Sequence, residues 1–350
     1  MGKLMWREIK TIIKNNNRFL LTTHIHPDGD GIGAACALTE LLIKMNKQVK
    51  FVCDSPIPHK YAFLDFHNTH FTYSDTENYD DTEVLVILDT NKLDRIGRLS
   101  NLATNPNVKI ICIDHHPIES IEFTPYYVVD PTACSVGAMV YALLKEFGFP
   151  LDLEAAKGIY TSVICDTGRF SYASTNRKAH KIADECIRIG VDPDEMYSNI
   201  FQHISIAEIK IFAKALQRME IYLDNQIVIQ EIRKEDYANL DVELVDIEHI
   251  DLEYFLEFNK LIEDVKCVVL LREIGEKNIR VSIRTKANLD ISPIIESLGG
   301  GGHKNAAGVT WNGTVQEIKE IIIEKLKNLL TISQKKTQKI NEEEMLNSFT

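Results

Sequence analysis

The first half of the chain alternates short apolar runs with stretches of helical periodicity. Residues 19–23, 48–53, 84–89 and 108–114 have the length and composition of buried strands, and 31–45 has the apolar spacing of an amphipathic helix. Strands that alternate with helices predict a mostly parallel sheet with helices on both faces. We therefore expect an α/β fold for the N-terminal part of the chain.

The second half has a different pattern, in which a run of predicted helices is followed by a cluster of predicted strands. Helices are predicted at 135–147, 153–165, 177–189, 194–200 and 206–216, and the boundary between domains around 190–206. Strands at 220–222, 226–232, 266–273 and 278–285, with helices at 252–261 and 315–330, predict a smaller α+β domain. The expected organisation is an N-terminal domain over 1–189, a linker and connector helix over 190–218, a C-terminal domain over 219–330 and a flexible tail over 331–350.

Charge and cysteine usage narrow the classes of function. The net charge of −12 argues against a protein that binds long nucleic acids, because such proteins usually carry a basic excess. The seven cysteines are scattered and form no C-x-x-C pair, which is typical of reduced packing residues in a cytoplasmic protein. No apolar run is long enough to span a bilayer, so no membrane association is expected.

Acidic and imidazole side chains follow several of the predicted apolar elements. They are His24, Asp28 and Asp30 after the first strand, Asp89 after 84–88, Asp114, His115 and His116 after 110–113, and Asp166 at the end of a helix. Ligands of α/β sheets bind at the carboxyl ends of strands, so these residues are expected to converge. Singly, each could be a helix cap, a turn residue or a core histidine. Together, they favour a two-metal hydrolytic site for phosphate esters.

These residues stand in sequence motifs that resemble those of the DHH phosphoesterase superfamily. The motifs are His24-Ile-His-Pro-Asp28-Gly-Asp30, Leu88-Asp89-Thr90, Asp114-His115-His116 and Asp166-Thr167-Gly168. A further motif, Gly299-Gly-Gly-Gly-His303-Lys-Asn-Ala-Ala-Gly308, is similar to the signature of the DHH-associated C-terminal domain. All five occur in family order between residues 24 and 308.

The resemblance implies a set of metal ligands. One ion would be held by His24, Asp28 and Asp89, and a second by Asp30, Asp89, His115 and Asp166. The cofactors implied are two divalent ions, with Mn²⁺ preferred and Mg²⁺ as the alternative. Catalytic roles fall to Asp89, His115 and His116, with His116 facing the phosphate, and Asp114 would orient a histidine.

The resemblance also implies substrate contacts in the C-terminal domain. Arg284 matches a substrate-binding arginine of the family, and a guanidinium can hold a phosphate with two parallel hydrogen bonds. Ser282, Gly301, Gly302 and His303 are assigned to substrate binding with it. The glycine run is expected to be a loop that precedes a helix and binds an anion with its backbone N–H groups.

The function implied is hydrolysis of short oligoribonucleotides to mononucleotides and of 3′-phosphoadenosine 5′-phosphate to AMP, in a cleft between two domains. A phosphodiesterase of cyclic or linear dinucleotides would use the same site, as would a long single-strand exonuclease or a pyrophosphatase or polyphosphatase. A nucleotide-binding regulator with a silent site is an alternative from another class. The expected partners are short RNA or a nucleotide bisphosphate, and the sequence leaves open whether the chain forms a homodimer.

Overall fold

The computed structural model describes residues 2–117, 121–237, 253–286 and 289–347. The chain divides into two compact units, Met1–His203 and Ile204–Thr350. Each unit contains one six-stranded sheet. The first sheet is parallel and the second is mixed, which confirms the fold class expected from the sequence.

The first unit is a parallel sheet covered by helices. Its strands are β1 (Arg18–Thr22), β2 (Gln48–Cys53), β3 (His70–Thr72), β4 (Val84–Leu88), β5 (Lys109–Asp114) and β6 (Tyr126–Val129). Its α-helices are α1 (Gly2–Asn15), α2 (Gly29–Lys44), α3 (Val136–Glu146), α4 (Leu153–Asp166), α5 (Arg177–Ile189) and α6 (Pro193–Phe201). Two 3₁₀ segments, His59–Leu64 and Leu93–Thr104, lie between strands.

The strand order of this sheet is β3-β2-β1-β4-β5-β6. The chain runs outward from β1 to β3 and then returns to place β4 on the other side of β1, so the order reverses between β1 and β4. Every residue of β4 is buried, because one apolar cluster covers each face of the sheet. In sheets of this type ligands bind outside the carboxyl ends of the strands at the point of reversal.

The second unit is built on a mixed sheet with the order β11-β12-β10-β9-β8-β7. Its strands are β7 (Glu220–Tyr222), β8 (Ile227–Ile232), β9 (Cys267–Glu273), β10 (Asn278–Thr285), β11 (Gly301–His303) and β12 (Ala306–Asn312). Its helices are α7 (Ile206–Gln217), α8 (Lys234–Tyr237), α9 (Glu253–Asn259), α10 (Ser292–Glu296) and α11 (Val315–Asn347). Among these strand pairs, β8 and β9 are parallel and the others are antiparallel.

The two faces of the second sheet are covered to different extents. Helix α11 packs Ile318, Ile322 and Leu326 on one face, along strands β8, β9, β10 and β12. On the other face, α7 and α9 contribute to an apolar cluster whose strand residues come from β8 and β9. Strands β10, β12 and β11 contribute no residue to that second cluster.

The structure differs from the sequence-based expectation in three places. The helix expected at 194–200 is present as α6, but Met196 and Ile200 in it are buried in the core of the first unit, whereas 190–218 was assigned to a linker and connector. The last helix was expected to end at Leu330 before a flexible tail, but it continues to Asn347, because residues 331–347 contain no proline or glycine to end it.

The third difference concerns the glycine run. It does not precede a helix. It follows α10, where the Gly300 N–H donates to the Ile295 carbonyl, and it leads into β11, which pairs with β12. Backbone pairing in a sheet tolerates glycine, and only a residue without a side chain fits at Gly302, where a Cβ would lie 2.4 Å from Ala307 Cα.

No helix in the described ranges is both long enough and apolar enough to span a membrane.

Candidate metal centre

Six acidic and imidazole side chains meet at the carboxyl edge of the first sheet. His24 follows β1, Asp89 follows β4, and His115 follows β5. Asp28 and Asp30 lie at the start of α2, and Asp166 is the last residue of α4. The point where the strand order reverses lies between β1 and β4, so the cluster occupies the place where α/β sheets bind ligands.

The first group consists of His24, Asp28 and Asp89. His24 Nε2 lies 3.7 Å from Asp28 Oδ2 and 3.6 Å from Asp89 Oδ2. Asp28 also caps helix α2, because its Oδ1 accepts a hydrogen bond of 3.0 Å from the Asp30 N–H. The capping role and the ligand role therefore use different oxygens of one carboxylate.

The second group consists of Asp30, His115 and Asp166. His115 Nε2 lies 3.6 Å from Asp30 Oδ2 and 3.7 Å from Asp166 Oδ2. The same nitrogen is 3.7 Å from Asp89 Oδ1. Asp89 therefore approaches both groups, with one carboxylate oxygen near each.

The spacing of these atoms fits divalent metal ions. The donor atoms of each group lie within 4.8 Å of one another. Ligands at about 2.1 Å from one ion are about 3 Å apart when adjacent and about 4 Å apart when opposite. The observed separations of 3.6–3.7 Å lie in that range, and they are too long for direct hydrogen bonds. Asp89 Oδ1 is also buried without a hydrogen bond from any described residue.

The electrostatics of the cluster also favour a bound cation. Burial and the charges of Asp30 and Asp28 raise the pKa of Asp166 to about 8. Burial, followed by the charge of Asp30, raises the pKa of Asp89 well above its ordinary value. Burial lowers the pKa of His24, but the carboxylates of Asp28 and Asp89 outweigh it and raise that pKa to about 11. A raised pKa means that the negative charge of a carboxylate is unfavourable in its surroundings. A bound cation would stabilise that charge.

Backbone carbonyls fix the tautomers of the two histidines in the groups. His24 Nδ1 lies 2.8 Å from the Ile25 carbonyl oxygen, and His115 Nδ1 lies 3.2 Å from that of Ala133. A carbonyl oxygen can only accept, so each Nδ1 carries the hydrogen. The Nε2 of each ring then faces the cluster, where a metal ion would take the place of a proton on that nitrogen.

Asp114 and His116 form a pair beside the groups. Asp114 is fully buried, and its Oδ1 accepts hydrogen bonds of 2.8 Å from His116 Nδ1 and from the His115 N–H. His116 Nδ1 lies 3.7 Å from Asp89 Oδ1. Asp114 therefore contacts both histidines, and the orienting role expected for it from the sequence stays a prediction.

The backbone at Asp89 is in the left-handed region, with φ of +62°. A residue with a side chain pays on the order of 1 kcal/mol or more there. The left-handed turn comes directly after β4, and the Asp89 N–H donates to the Ile113 carbonyl on β5. Non-glycine residues in such strained positions often lie at functional sites.

The residues expected to bind substrate lie on β10 and β11 of the second unit, and both strands pair with β12. Pairing of β10 with β12 and of β12 with β11 places Arg284, Ala306 and His303 in one row and Ser282, Gly308 and Gly301 in another. Ser282 and Arg284 are half-buried, whereas Val281 and Ile283, which alternate with them along β10, are buried in the core. The residues of β12 that pair with Arg284 and Ser282 are therefore small, namely Ala306 and Gly308.

Sequence patterns did not single out two residues that support the cluster. Asn91 Nδ2 donates a hydrogen bond of 3.1 Å to the His116 carbonyl oxygen, which ties the loop after β4 to the loop after β5. Ser162 donates to the Asp30 carboxylate. Ser162 lies four residues before Asp166, on the same helix face. That spacing could have indicated that Ser162 lies near the cluster.

Comparison with known proteins agrees with this architecture. Residues 18–182 match the DHH family N-terminal domain, and residues 244–331 match the DHHA1 domain. The chain is 27% identical over 313 residues to the bifunctional oligoribonuclease and PAP phosphatase NrnA of Thermus thermophilus. The match covers 89% of this chain and 90% of that protein. It is 30% identical over 206 residues to NrnA of Bacillus subtilis, covering 57% and 61% of the two chains.

A solved structure is similar over nearly the whole chain. The exopolyphosphatase-related protein from Bacteroides fragilis has a TM-score of 0.86 and 25% identity, and the match covers 93% of this chain and 96% of that one. The five motifs lie within the order and extent of the two matched domains. This chain therefore combines a DHH-family N-terminal domain with a DHHA1 domain.

Proposed function

We propose that this chain is a two-metal phosphoesterase that hydrolyses short oligoribonucleotides to mononucleotides and 3′-phosphoadenosine 5′-phosphate to AMP. The observation that carries the proposal is the position of Asp89, whose Oδ2 lies 3.6 Å from His24 Nε2 and whose Oδ1 lies 3.7 Å from His115 Nε2. A carboxylate between two donor groups suits a pair of ions. The DHH and DHHA1 domains and the similarity to NrnA proteins support the class of substrate.

We assign one divalent ion to His24, Asp28 and Asp89. A second is assigned to the group of Asp30, Asp89, His115 and Asp166. The mixture of imidazole and carboxylate ligands favours Mn²⁺, with Mg²⁺ as the alternative. When bound, such ions polarise the phosphate and lower the pKa of a water molecule that attacks phosphorus.

We assign protonation of the leaving oxygen to His116. Water adds its oxygen to phosphorus and releases a proton to solvent, and the ester P–O bond breaks. The leaving nucleoside oxygen takes a proton from His116 Nε2, and His116 then regains a proton from solvent. The hydrogen bond of 2.8 Å from His116 Nδ1 to Asp114 supports this role, because the buried carboxylate holds the imidazole ring in place. His115 and Asp89 would act with it by holding the metal ions.

We assign recognition of the nucleotide to the second unit. Arg284 and Ser282 would contact phosphate, and the backbone of Gly301, Gly302 and His303 would lie against the nucleotide. The small residues Ala306, Gly308 and Gly301 that neighbour Arg284 and Ser282 in the sheet support this assignment. The net charge of −12 makes long nucleic acids unfavourable ligands and so supports short ones.

The test uses labelled dinucleotides and 3′-phosphoadenosine 5′-phosphate with the full chain. We expect Mn²⁺-dependent release of mononucleotide and of AMP, which chelation with EDTA abolishes and added Mn²⁺ restores. Turnover of inorganic polyphosphate without turnover of either nucleotide would reassign the substrate class. Tight nucleotide binding without turnover at saturating Mn²⁺ would instead indicate a regulator.

A further inference from the structure

The Asp30 carboxylate is held by donors from two helices. Its Oδ1 accepts from the Val136 N–H at 2.9 Å and the Gly137 N–H at 3.1 Å, both at the start of α3. The hydroxyl of Ser162, in the middle of α4, donates to the same oxygen. Asp30 is only 1% exposed, so water does not replace these donors.

These contacts leave the two oxygens of Asp30 in different environments. Oδ1 is occupied by two backbone N–H groups and one hydroxyl. Oδ2 accepts from the Val136 N–H at 2.8 Å and lies 3.6 Å from His115 Nε2, on the side of the second group. The donors therefore turn one oxygen of Asp30 toward the position assigned to a metal ion. A ligand that is fixed in this way loses little freedom when the ion binds.

Ser162 is itself held in place. Its Oγ accepts a hydrogen bond of 2.8 Å from the Gly137 N–H and lies 2.8 Å from the Ser135 hydroxyl oxygen, and both Ser135 and Ser162 are fully buried. A hydroxyl has one hydrogen to donate, and a carboxylate can only accept. The Ser162 hydrogen therefore belongs to Asp30, where the acceptor is charged and the bond is strongest.

Two glycines make the space for this hydroxyl. A Cβ on Gly137 would lie 2.2 Å from Ser162 Oγ, and a Cβ on Gly33 would lie 2.8 Å from the Ser162 nitrogen. Ser162 also lies four residues before Asp166 on α4, so both residues share one face of that helix. One helix thus supplies a ligand of the second group and a support for another.

We propose that Ser162 is a positioning residue that sets the affinity of the ion held by Asp30, His115 and Asp166. The inference rests on the proposed function for the presence of two ions. Ser162 does not touch the ion or the substrate. It acts through Asp30, and loss of a partner of this kind typically lowers metal affinity by about 10- to 100-fold.

The experiment measures Mn²⁺ binding to the full chain without substrate, by calorimetry and by electron paramagnetic resonance of free Mn²⁺. Ser162→Ala removes the hydroxyl, and Gly137→Ala displaces it. In both variants we expect one of the two sites of the unsubstituted chain to weaken by about 10- to 100-fold, while the other keeps its affinity. Among the described contacts, Ser162 has none with the group of His24, Asp28 and Asp89. The site assigned to that group should therefore keep its affinity.

Thr161→Val is the matched control. Thr161 is also fully buried in α4, but its hydroxyl donates within the helix, to the Lys157 carbonyl at 2.9 Å. Both sites should keep their affinity in this variant. Wild-type binding in both Ser162→Ala and Gly137→Ala would overturn the inference, as would an equal weakening in Thr161→Val. An unsubstituted chain that binds fewer than two ions would overturn the proposed function as well, so the two failures are distinguishable.

Discussion

Gly33 and Gly158 touch through their backbones where helices α2 and α4 cross. A Cβ on Gly33 would lie 2.3 Å from the Gly158 carbonyl oxygen, and one on Gly158 would lie 2.6 Å from the Gly33 carbonyl oxygen. The crossing lies three residues after Asp30 on α2 and eight residues before Asp166 on α4. The close approach of the two helices therefore helps to bring Asp30 and Asp166 into the same group of side chains.

Gly158→Ala should destabilise the first unit and weaken Mn²⁺ binding. Alanine gains about 1 kcal/mol of helix propensity, but overpacking costs about 1–3 kcal/mol. The Cβ would meet a backbone oxygen at 2.6 Å, so we take the upper end of that cost and expect a net loss of about 2 kcal/mol in urea denaturation. Gly275→Ala is the control, because a Cβ there meets only the Asn278 side chain, at 3.2 Å or more. An unchanged free energy of unfolding in Gly158→Ala would show that the helices can separate without cost.

Asp89→Asn should lower kcat more than Asp114→Asn, because Asp89 approaches both donor groups, whereas the contacts described for the Asp114 side chain are with His115 and His116. For Asp114→Asn we expect a fall of about 10²-fold from the loss of His116 orientation, with both Mn²⁺ ions still bound. For Asp89→Asn we expect activity at the limit of detection. Kinetics at saturating Mn²⁺, with metal stoichiometry measured on the same samples, would test this order, and equal activities would contradict the shared-ligand assignment.

Arg284→Ala should raise KM for a dinucleotide by about 10-fold or more, because a charged hydrogen bond to phosphate is worth about 1.5–3 kcal/mol. Metal stoichiometry should not change. Arg280→Ala is the matched control, since Arg280 lies on the same face of β10 and donates to Thr310. A comparable rise of KM in both variants would indicate a general charge effect rather than a specific contact.

Much of the first unit could be predicted because its signals are local. The run Val84-Leu85-Val86-Ile87-Leu88 followed by Asp89 indicates both a buried strand and a charge at its end. The six metal-group residues were predicted from motifs, and the structure brings all six together. The strand order could not be predicted locally, because it depends on pairing between distant segments.

Other features were missed because their physical cause is tertiary. Strand β6 is four residues long and only Val128 in it is buried, so no periodic pattern indicates it. Strand β11 consists largely of glycines that become a strand through pairing with β12. The role of Ser162 arises only where α2, α3 and α4 meet. Contacts between secondary-structure elements, rather than propensities within them, determine these two strands and the surroundings of Ser162.

Gly301→Ala and Gly302→Ala should have different effects although the two residues are neighbours. Gly302 has φ of +148° and a Cβ would lie 2.4 Å from Ala307 Cα, so an alanine should destabilise the second unit by about 1–3 kcal/mol. Gly301 has no atom within 4 Å of a Cβ position, so an alanine should leave stability unchanged and raise KM by intruding on the nucleotide. Denaturation and dinucleotide kinetics on both variants would separate the effects, and equal stability losses would contradict this distinction.

Asp236→Asn should destabilise the second unit at neutral pH but not in acid. The Asp236 side chain is 1% exposed and receives hydrogen bonds from Arg218 and from the Arg233 N–H. Burial raises the pKa of Asp236, but these donors outweigh it and lower that pKa below the ordinary value.

The sign of the pH effect follows from that depressed pKa. Stability from Asp236 is fully present above the unfolded value of about 3.9 and is lost as pH falls through the folded pKa. We expect Asp236→Asn to lose about 3 kcal/mol at pH 7 and at pH 5, and the difference from the unsubstituted chain to narrow below about pH 4.

Glu235→Gln is the matched control, because Glu235 contacts the same Arg218 at 3.4 Å but is 67% exposed and should contribute less than about 0.5 kcal/mol. Urea denaturation across this pH range measures both variants, and a difference that already narrows between pH 7 and pH 5 would contradict a lowered pKa for Asp236.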